Sequence, residues 1–275
     1  MSTLKTIKLA SDKRSVNVEI FESVQELAKL NRVRPSRHSG NHLTATADSW
    51  NGKLSYTGAE EMMVNGWSEK VEELKIETKK IGLKETGKRI TSRNDVVGYA
   101  PIVPLAIIGV PESMINQTYK PIKSKVINLY YDITVCANHS ANEIMKNGME
   151  VMKVIINLEK QGYRVELNAM QAYNDDKGSD MLIVKLKSSN QPLDIKRVMF
   201  PLMHPAMFRT IGFTWYERCP LSVAKSGYGH TFDREYCNNK DAVIKELFGK
   251  NATYISGDSM VKGNNVETIL KGEAK

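Results

Sequence analysis

Hydrophobic and polar positions follow their most regular pattern in the middle of the chain. An apolar run at residues 126–131, VINLYY, is bounded by Lys125 and Asp132. A run of this length and composition is typical of a buried strand. The alternating residues 163–167, YRVEL, predict a second strand further along the chain.

The segment between these two strands has the period of a helix. Ser140 followed by Glu143 is the pattern of a capping box at a helix N-terminus, and Gly162 is placed to end the helix. The apolar residues that recur at helical spacing are Ile144, Met145, Gly148, Val151, Met152, Ile155, Ile156 and Leu158. A strand, a crossover helix and a second strand in this order predict a right-handed parallel βαβ unit.

Shorter patterns predict further strands on both sides of this unit. Residues 4–9 and 16–21 alternate between apolar and polar positions, with a turn-like sequence between them. Residues 181–187, MLIVKLK, have the composition of another strand. The polar residues 168–180 are expected to form the loop that leads to it.

An apolar segment rich in proline divides the chain. Residues 96–114, VVGYAPIVPLAIIGVPESM, contain three prolines, which exclude a regular helix. We expect this segment to be buried as an extended connector or edge strand laid across the core. The predicted fold is an α/β domain at residues 121–275, with a mainly parallel sheet flanked by helices. An α+β N-terminal region at residues 1–120 is expected to pack tightly against it.

Charge adds a candidate binding surface. The chain has 275 residues, a net charge of +8 and a pI near 9.2, which favour nucleic acid or an acidic protein as a partner. A merely basic surface is the alternative. The densest basic tract, the candidate nucleic-acid site, consists of Lys79, Lys80, Lys84, Lys88, Arg89 and Arg93. Because no aromatic residues are interleaved with these side chains, the tract predicts phosphate contact without base stacking.

Cysteine usage and the absence of long apolar runs indicate the compartment. The first 15 residues lack the apolar core of a signal peptide, and no run approaches the roughly 20 apolar residues needed to cross a membrane. Three cysteines in such a chain are expected to be free thiols in a reducing compartment. We therefore expect a cytoplasmic protein that does not contact a membrane, and the sequence leaves its oligomeric state open.

Candidate chemistry is concentrated after the first strand of the βαβ unit. Ligands bind beyond the carboxyl ends of strands in such sheets, and the residues there are Asp132, Thr134, Cys136, Asn138 and His139. Asp132 beside Thr134 is a candidate polar or metal site. The alternative for Asp132 is that it binds the backbone amides of its own loop. Cys136 and His139 also raise the possibility of a thiolate and a base.

The run Asp132-Ile133-Thr134-Val135-Cys136 resembles the Asp-x-Ser-x-Ser motif of von Willebrand factor A-type domains. This resemblance implies a similar fold for the second half of the chain. It also implies a divalent cation, Mg²⁺ or Mn²⁺, held by Asp132 and Thr134. Cys136 departs from the motif, because a thiol is a poor ligand for a hard cation.

A second resemblance covers most of the chain. The pieces that carry it are Trp50-Asn51-Gly52, Gly66-Trp67, Val103-Pro104, Gly109, Pro111, LEKQGYRVEL at 158–167 and PLDIKRVMFPLMHPAMFRTIGFTWYE at 192–217. They are similar to a family of proteins encoded by tailed phages and prophages. The resemblance implies a viral accessory protein that acts inside a bacterial cell, and it brings no known activity.

Two functional hypotheses follow from these observations. The leading one is non-catalytic binding of nucleic acid, or of a host or viral protein, through the basic tract and the strand-end face. The alternative is a metal-dependent hydrolase or nuclease that uses Asp132 and Thr134. No second acidic cluster at motif spacing accompanies these two residues, which disfavours the enzyme.

Overall fold

The computed structural model describes residues 2–11, 14–37, 40–79, 88–121, 125–175, 178–220, 231–232, 236 and 238–261. Nine strands are present in these ranges: β1 (Thr3–Lys8), β2 (Ser15–Phe21), β3 (Lys88–Asp95), β4 (Ala100–Pro101), β5 (Met114–Pro121), β6 (Val126–Asp132), β7 (Arg164–Asp175), β8 (Gly178–Lys187) and β9 (Ala252–Ser256). The α-helices in the same ranges are α1 (Val24–Val33), α2 (Tyr56–Asn65), α3 (Val71–Lys79), α4 (Val103–Ile107), α5 (Ala141–Lys160), α6 (Ile195–Met203), α7 (Phe213–Arg218), α8 (Lys240–Phe248) and α9 (Gly257–Val261). A 3₁₀ turn at His42–Thr44 and a π-helical segment at Met207–Gly212 complete the order.

Six strands form the main sheet, in the order β1-β2-β8-β7-β6-β9. The pairs β2–β8, β6–β7 and β6–β9 are parallel, whereas β1–β2 and β7–β8 are antiparallel. The fold is therefore mixed α/β with a mostly parallel sheet, as predicted. Because β2 pairs with β8, residues on both sides of position 120 contribute strands to this sheet.

The predicted βαβ unit is confirmed as β6, α5 and β7. At the start of α5 the Ser140 hydroxyl accepts a hydrogen bond from the Glu143 amide, and the Glu143 carboxylate accepts one from the Ser140 amide. After α5, Gly162 has φ +89°, a conformation that favours glycine. One face of the helix is buried, and an added Cβ at Gly148 would lie 2.5 Å from the Met203 Cα, so Gly148 permits close packing against α6.

The prediction of a polar loop at residues 168–180 is wrong. Strand β7 continues to Asp175 and pairs with β8 as an antiparallel hairpin. Its polar side chains are buried and hydrogen-bonded: the Asn17 amide donates to Asp180 at 3.0 Å, and the Ser179 hydroxyl donates to Asn174 at 2.6 Å. Polar composition predicted a loop because the sequence does not reveal these partners on neighbouring strands.

Two hydrophobic clusters cover the faces of the main sheet. The larger one joins the sheet to α1, α2, α5, α6 and α7, and it includes the aromatic residues Phe213, Trp215 and Tyr216. The smaller one lies between other sheet residues and α8. Among the helices of the described ranges, none is both long enough and apolar enough to cross a membrane.

The apolar proline-rich segment is not buried, which contradicts the sequence prediction. It belongs to a second sheet, in the order β3-β5-β4, which with α4 forms a projection at residues 88–121 that we call the arm. No residue from 92 to 117 is buried, and none of these residues belongs to either hydrophobic cluster. A sheet of only three strands and a helix of five residues are too small to cover their own apolar side chains.

Candidate functional site

Asp132 ends β6 and is buried within its own loop. Its Oδ1 accepts a hydrogen bond from the Thr134 amide at 2.9 Å, and its Oδ2 accepts one from the Tyr254 hydroxyl at 2.8 Å. The Thr134 hydroxyl oxygen accepts a hydrogen bond from the Ala172 amide at 3.1 Å. These contacts hold the loop against β7 and β9, which fits the structural alternative for Asp132.

The cation hypothesis for Asp132 and Thr134 stays a prediction. Within the described ranges, no group of three His, Cys, Asp or Glu side chains is spaced to hold a metal ion. Of the other cysteines, Cys219 is buried, whereas Cys237 lies outside the described residues.

The remaining strand-end residues meet a carboxylate from far along the chain. The Cys136 amide donates to Asp258 Oδ1 at 3.3 Å. The His139 ring lies 4.0 Å from the same oxygen and 3.9 Å from the Glu143 carboxylate. Asp258 follows β9, which is parallel to β6, so pairing of these strands brings the two loops together. No pattern in the sequence indicates this contact.

Arg209 is a site residue that no pattern in the sequence singles out. It lies in the π-helical segment, is 1% exposed, and stacks on the ring of Trp50 with its guanidinium carbon 4.5 Å from the ring centroid. Its two Nη atoms donate to the backbone oxygens of Trp50 and His139, each at 2.7 Å. Burial lowers the pKa of Arg209 to about 10.

Trp50 closes the outer side of this guanidinium. It lies in a turn with Asn51 and Gly52, where the backbone amide of Asn51 donates to the Asp48 carboxylate and Gly52 has φ +79°. The Trp50 side chain is 37% exposed, and its indole nitrogen donates to the Ala137 oxygen at 3.4 Å. A tryptophan in a tight turn was the one signal in the sequence for this site.

The predicted basic tract does not form one continuous element. Lys79 ends α3, Lys80 and Lys84 lie outside the described residues, and Lys88, Arg89 and Arg93 belong to β3. In the register of the arm, Arg89 pairs with Lys120 and Arg93 with Asn116. The Arg93 side chain is described, and it donates to the Asp95 carboxylate at 2.7 Å.

The strand ends with Lys88, Arg89, Arg93 and Lys120 form the base of the arm. The remainder, residues 94–117, which we call the tip, exposes mostly aliphatic side chains to solvent. The large hydrophobic residues exposed there are Val96, Val97, Tyr99, Val103, Ile107 and Ile108. Residues 94–119 contain no lysine or arginine. Monomeric proteins rarely expose large contiguous apolar patches without an interaction to serve. The arm is therefore the strongest candidate binding surface in the described part of the chain.

Comparison with known protein families gave one match, to the domain of unknown function DUF7192, over residues 5–272. Searches of curated proteins and of solved structures found no match. Because the matched residues include the main sheet, the Arg209 region and the arm, all three lie within the family's domain. The chain belongs to the DUF7192 family.

Proposed function

We propose that this protein acts by non-catalytic binding and that the arm is its contact surface for another protein. The observation that carries the proposal is the exposure of six large hydrophobic side chains on the arm, where residues 92–117 add nothing to the core. Burying one Val or Ile side chain is worth about 1.5–3 kcal/mol, so a partner that covers several of them gains substantial affinity.

Charge indicates the chemistry of the partner. From residue 79 to 125 the chain has nine lysines and arginines against three acids, a net charge of +6 out of +8 for the whole protein. A partner with an apolar groove bordered by acidic side chains complements the arm at both ends. The groove would cover the aliphatic tip, and the acids would face the positively charged residues at the base.

Nucleic acid is a less suitable occupant for the tip. Single-stranded nucleic acids stack on aromatic rings and duplexes contact basic side chains, whereas the tip is mostly aliphatic and has no lysine or arginine. A second copy of the chain is also disfavoured at the edge strand β3. Pairing two such strands would bring the like charges of Lys88, Arg89 and Arg93 together.

The test uses the full chain as bait in lysate of infected bacteria, since the resemblance to phage proteins indicates that setting. A captured protein is then purified and its affinity measured by calorimetry. We expect an acidic partner whose affinity falls at least ~100-fold in the double variant Ile107→Asp/Ile108→Asp, because two buried aliphatic contacts are lost and each 1.4 kcal/mol is tenfold.

Val33→Asp is the matched control. Val33 is as exposed as Ile108, 71% for both, but lies at the end of α1 outside the arm. Its variant should bind the partner like wild type. A partner whose affinity is unchanged by the double variant, or binding of DNA, RNA or anionic vesicles that depends on Ile107 and Ile108, would refute the proposal.

A further inference from the structure

Arg209 has more hydrogen-bonding capacity than its surroundings use. A guanidinium has five N–H donors, and hydrogen bonds to Trp50 and His139 engage two of them. The buried Nε has no hydrogen-bond partner. No carboxylate in the described ranges forms an ion pair with Arg209, although its side chain is almost completely buried. A buried charge with unused donors is costly unless a ligand of opposite charge compensates it.

The position of this guanidinium favours an anion. It donates to the carbonyl of His139, the residue directly before the N-cap of α5, a helix of 20 residues. The positive end of the helix dipole therefore faces the same region, where the capping box already pairs the amides of Ser140 and Glu143. The region also lies beyond the carboxyl ends of β6 and β9, where ligands bind in α/β sheets.

We propose that Arg209, beneath Trp50 and beside the N-terminus of α5, anchors a binding site for an oxyanion, a phosphate or carboxylate group. The planar guanidinium can bind two oxygens of such a group, and the exposed edge of Trp50 covers it. This site is separate from the arm and does not depend on the function proposed for it.

Nearby acids limit the size and charge of the ligand. Asp48 is close enough to raise the pKa of Arg209 without forming an ion pair with it. One oxygen of the Asp48 carboxylate accepts a hydrogen bond from the backbone amide of Asn51. Glu143 and Asp258 lie 3.9 and 4.0 Å from the His139 ring. A compact oxyanion at Arg209 is compatible with these carboxylates, whereas a polyphosphate would meet repulsion.

The experiment titrates the full chain with inorganic phosphate and, in parallel, with acetate, against sodium chloride at equal ionic strength. The readouts are the melting temperature and the ¹⁵N-edited signal of the Arg209 Nε–H group. At ten times its Kd, the bound anion should raise the melting temperature by ~3–6 °C and shift that signal. The anion that gives the larger shift identifies the preferred group.

Variants distinguish this site from surface binding. Arg209→Lys should no longer show the rise in melting temperature, because an ammonium group cannot replace the paired donors of the guanidinium. Arg197→Met, a substitution at an exposed arginine, should still show it. If Arg209→Lys does not fold, the test rests on the Nε–H signal of Arg209 in the wild-type protein. This signal is assigned as the one that shifts in the variant Trp50→Phe. The proposal is refuted if the Nε–H signal does not change at high phosphate and acetate, or if the melting temperature rises equally in all variants. Arg209 would then serve only to hold the Trp50 turn against the start of α5.

Discussion

At the scale of single residues, the turn that carries Trp50 is positioned by its close contact with His204. An added Cβ at Gly52 would lie 2.7 Å from the His204 ring, so the Trp50 turn packs directly on that histidine. His204 Nδ1 accepts a hydrogen bond from the Ala206 amide at 3.2 Å, and the ring stacks on Phe200. No pattern in the sequence indicates that Arg209 and His204 both lie beneath this turn.

His204 should make the fold sensitive to acid. Burial lowers its pKa to about 4, against 6.5 for an ordinary histidine. Between these values the unfolded chain binds a proton that the folded protein does not. The free energy of unfolding should therefore fall as the pH drops below 6.5, by about 3 kcal/mol at pH 4.

Urea denaturation of wild type and His204→Gln, at several values between pH 7 and pH 4, checks this prediction. Wild type should lose about 3 kcal/mol more than the variant over that interval, because glutamine does not titrate. Parallel losses in the two proteins would mean that His204 takes up a proton in the folded state as readily as in the unfolded one.

At the scale of elements, local patterns identified the helix but not the full extent of the strands. The Ser140–Glu143 spacing and the apolar stripe were sufficient for α5, because caps and periodicity are local properties. Strand β7 and the arm were mispredicted for the opposite reason. Polar residues are buried in β7 by partners on other strands, and apolar residues of the arm remain exposed. Both outcomes depend on contacts distant in sequence.

The cap of α5 gives a test at this scale. Ser140→Ala removes the acceptor for the Glu143 amide and should lower the free energy of unfolding by about 1 kcal/mol. Glu143→Gln should cost less, because its amide oxygen still accepts from the Ser140 amide. Chemical denaturation of the three proteins measures both differences, and equal stability of Ser140→Ala and wild type would contradict the role of the cap.

At the scale of the whole molecule, the core and the candidate binding surface are in different places. The six-stranded sheet, covered by helices on both faces, buries the apolar residues of both halves of the chain. The arm instead exposes aliphatic residues, and the longer segment that contains it, residues 79–125, has a net charge of +6 out of +8 for the whole protein. The sequence predicted the sheet and the charge, but the projection of the apolar segment away from the core could be seen only in the fold.

This separation predicts that the arm contributes little to stability. Ile107→Asp/Ile108→Asp should leave the melting temperature of the isolated protein within about 1 °C of wild type, because substitutions at exposed positions change stability by less than about 0.5 kcal/mol. Differential scanning calorimetry measures the difference. A drop of several degrees would show that the two side chains are buried in solution.

Hydrogen–deuterium exchange of the full chain, alone and saturated with its purified partner, tests most directly whether the arm is the contact surface. We expect the amides of residues 88–121 to gain protection on binding, since the partner covers them, while those of β6, β7 and β8 exchange as before. If only the main sheet or its helices gain protection and the exchange of the arm is unchanged, the arm is not the contact surface.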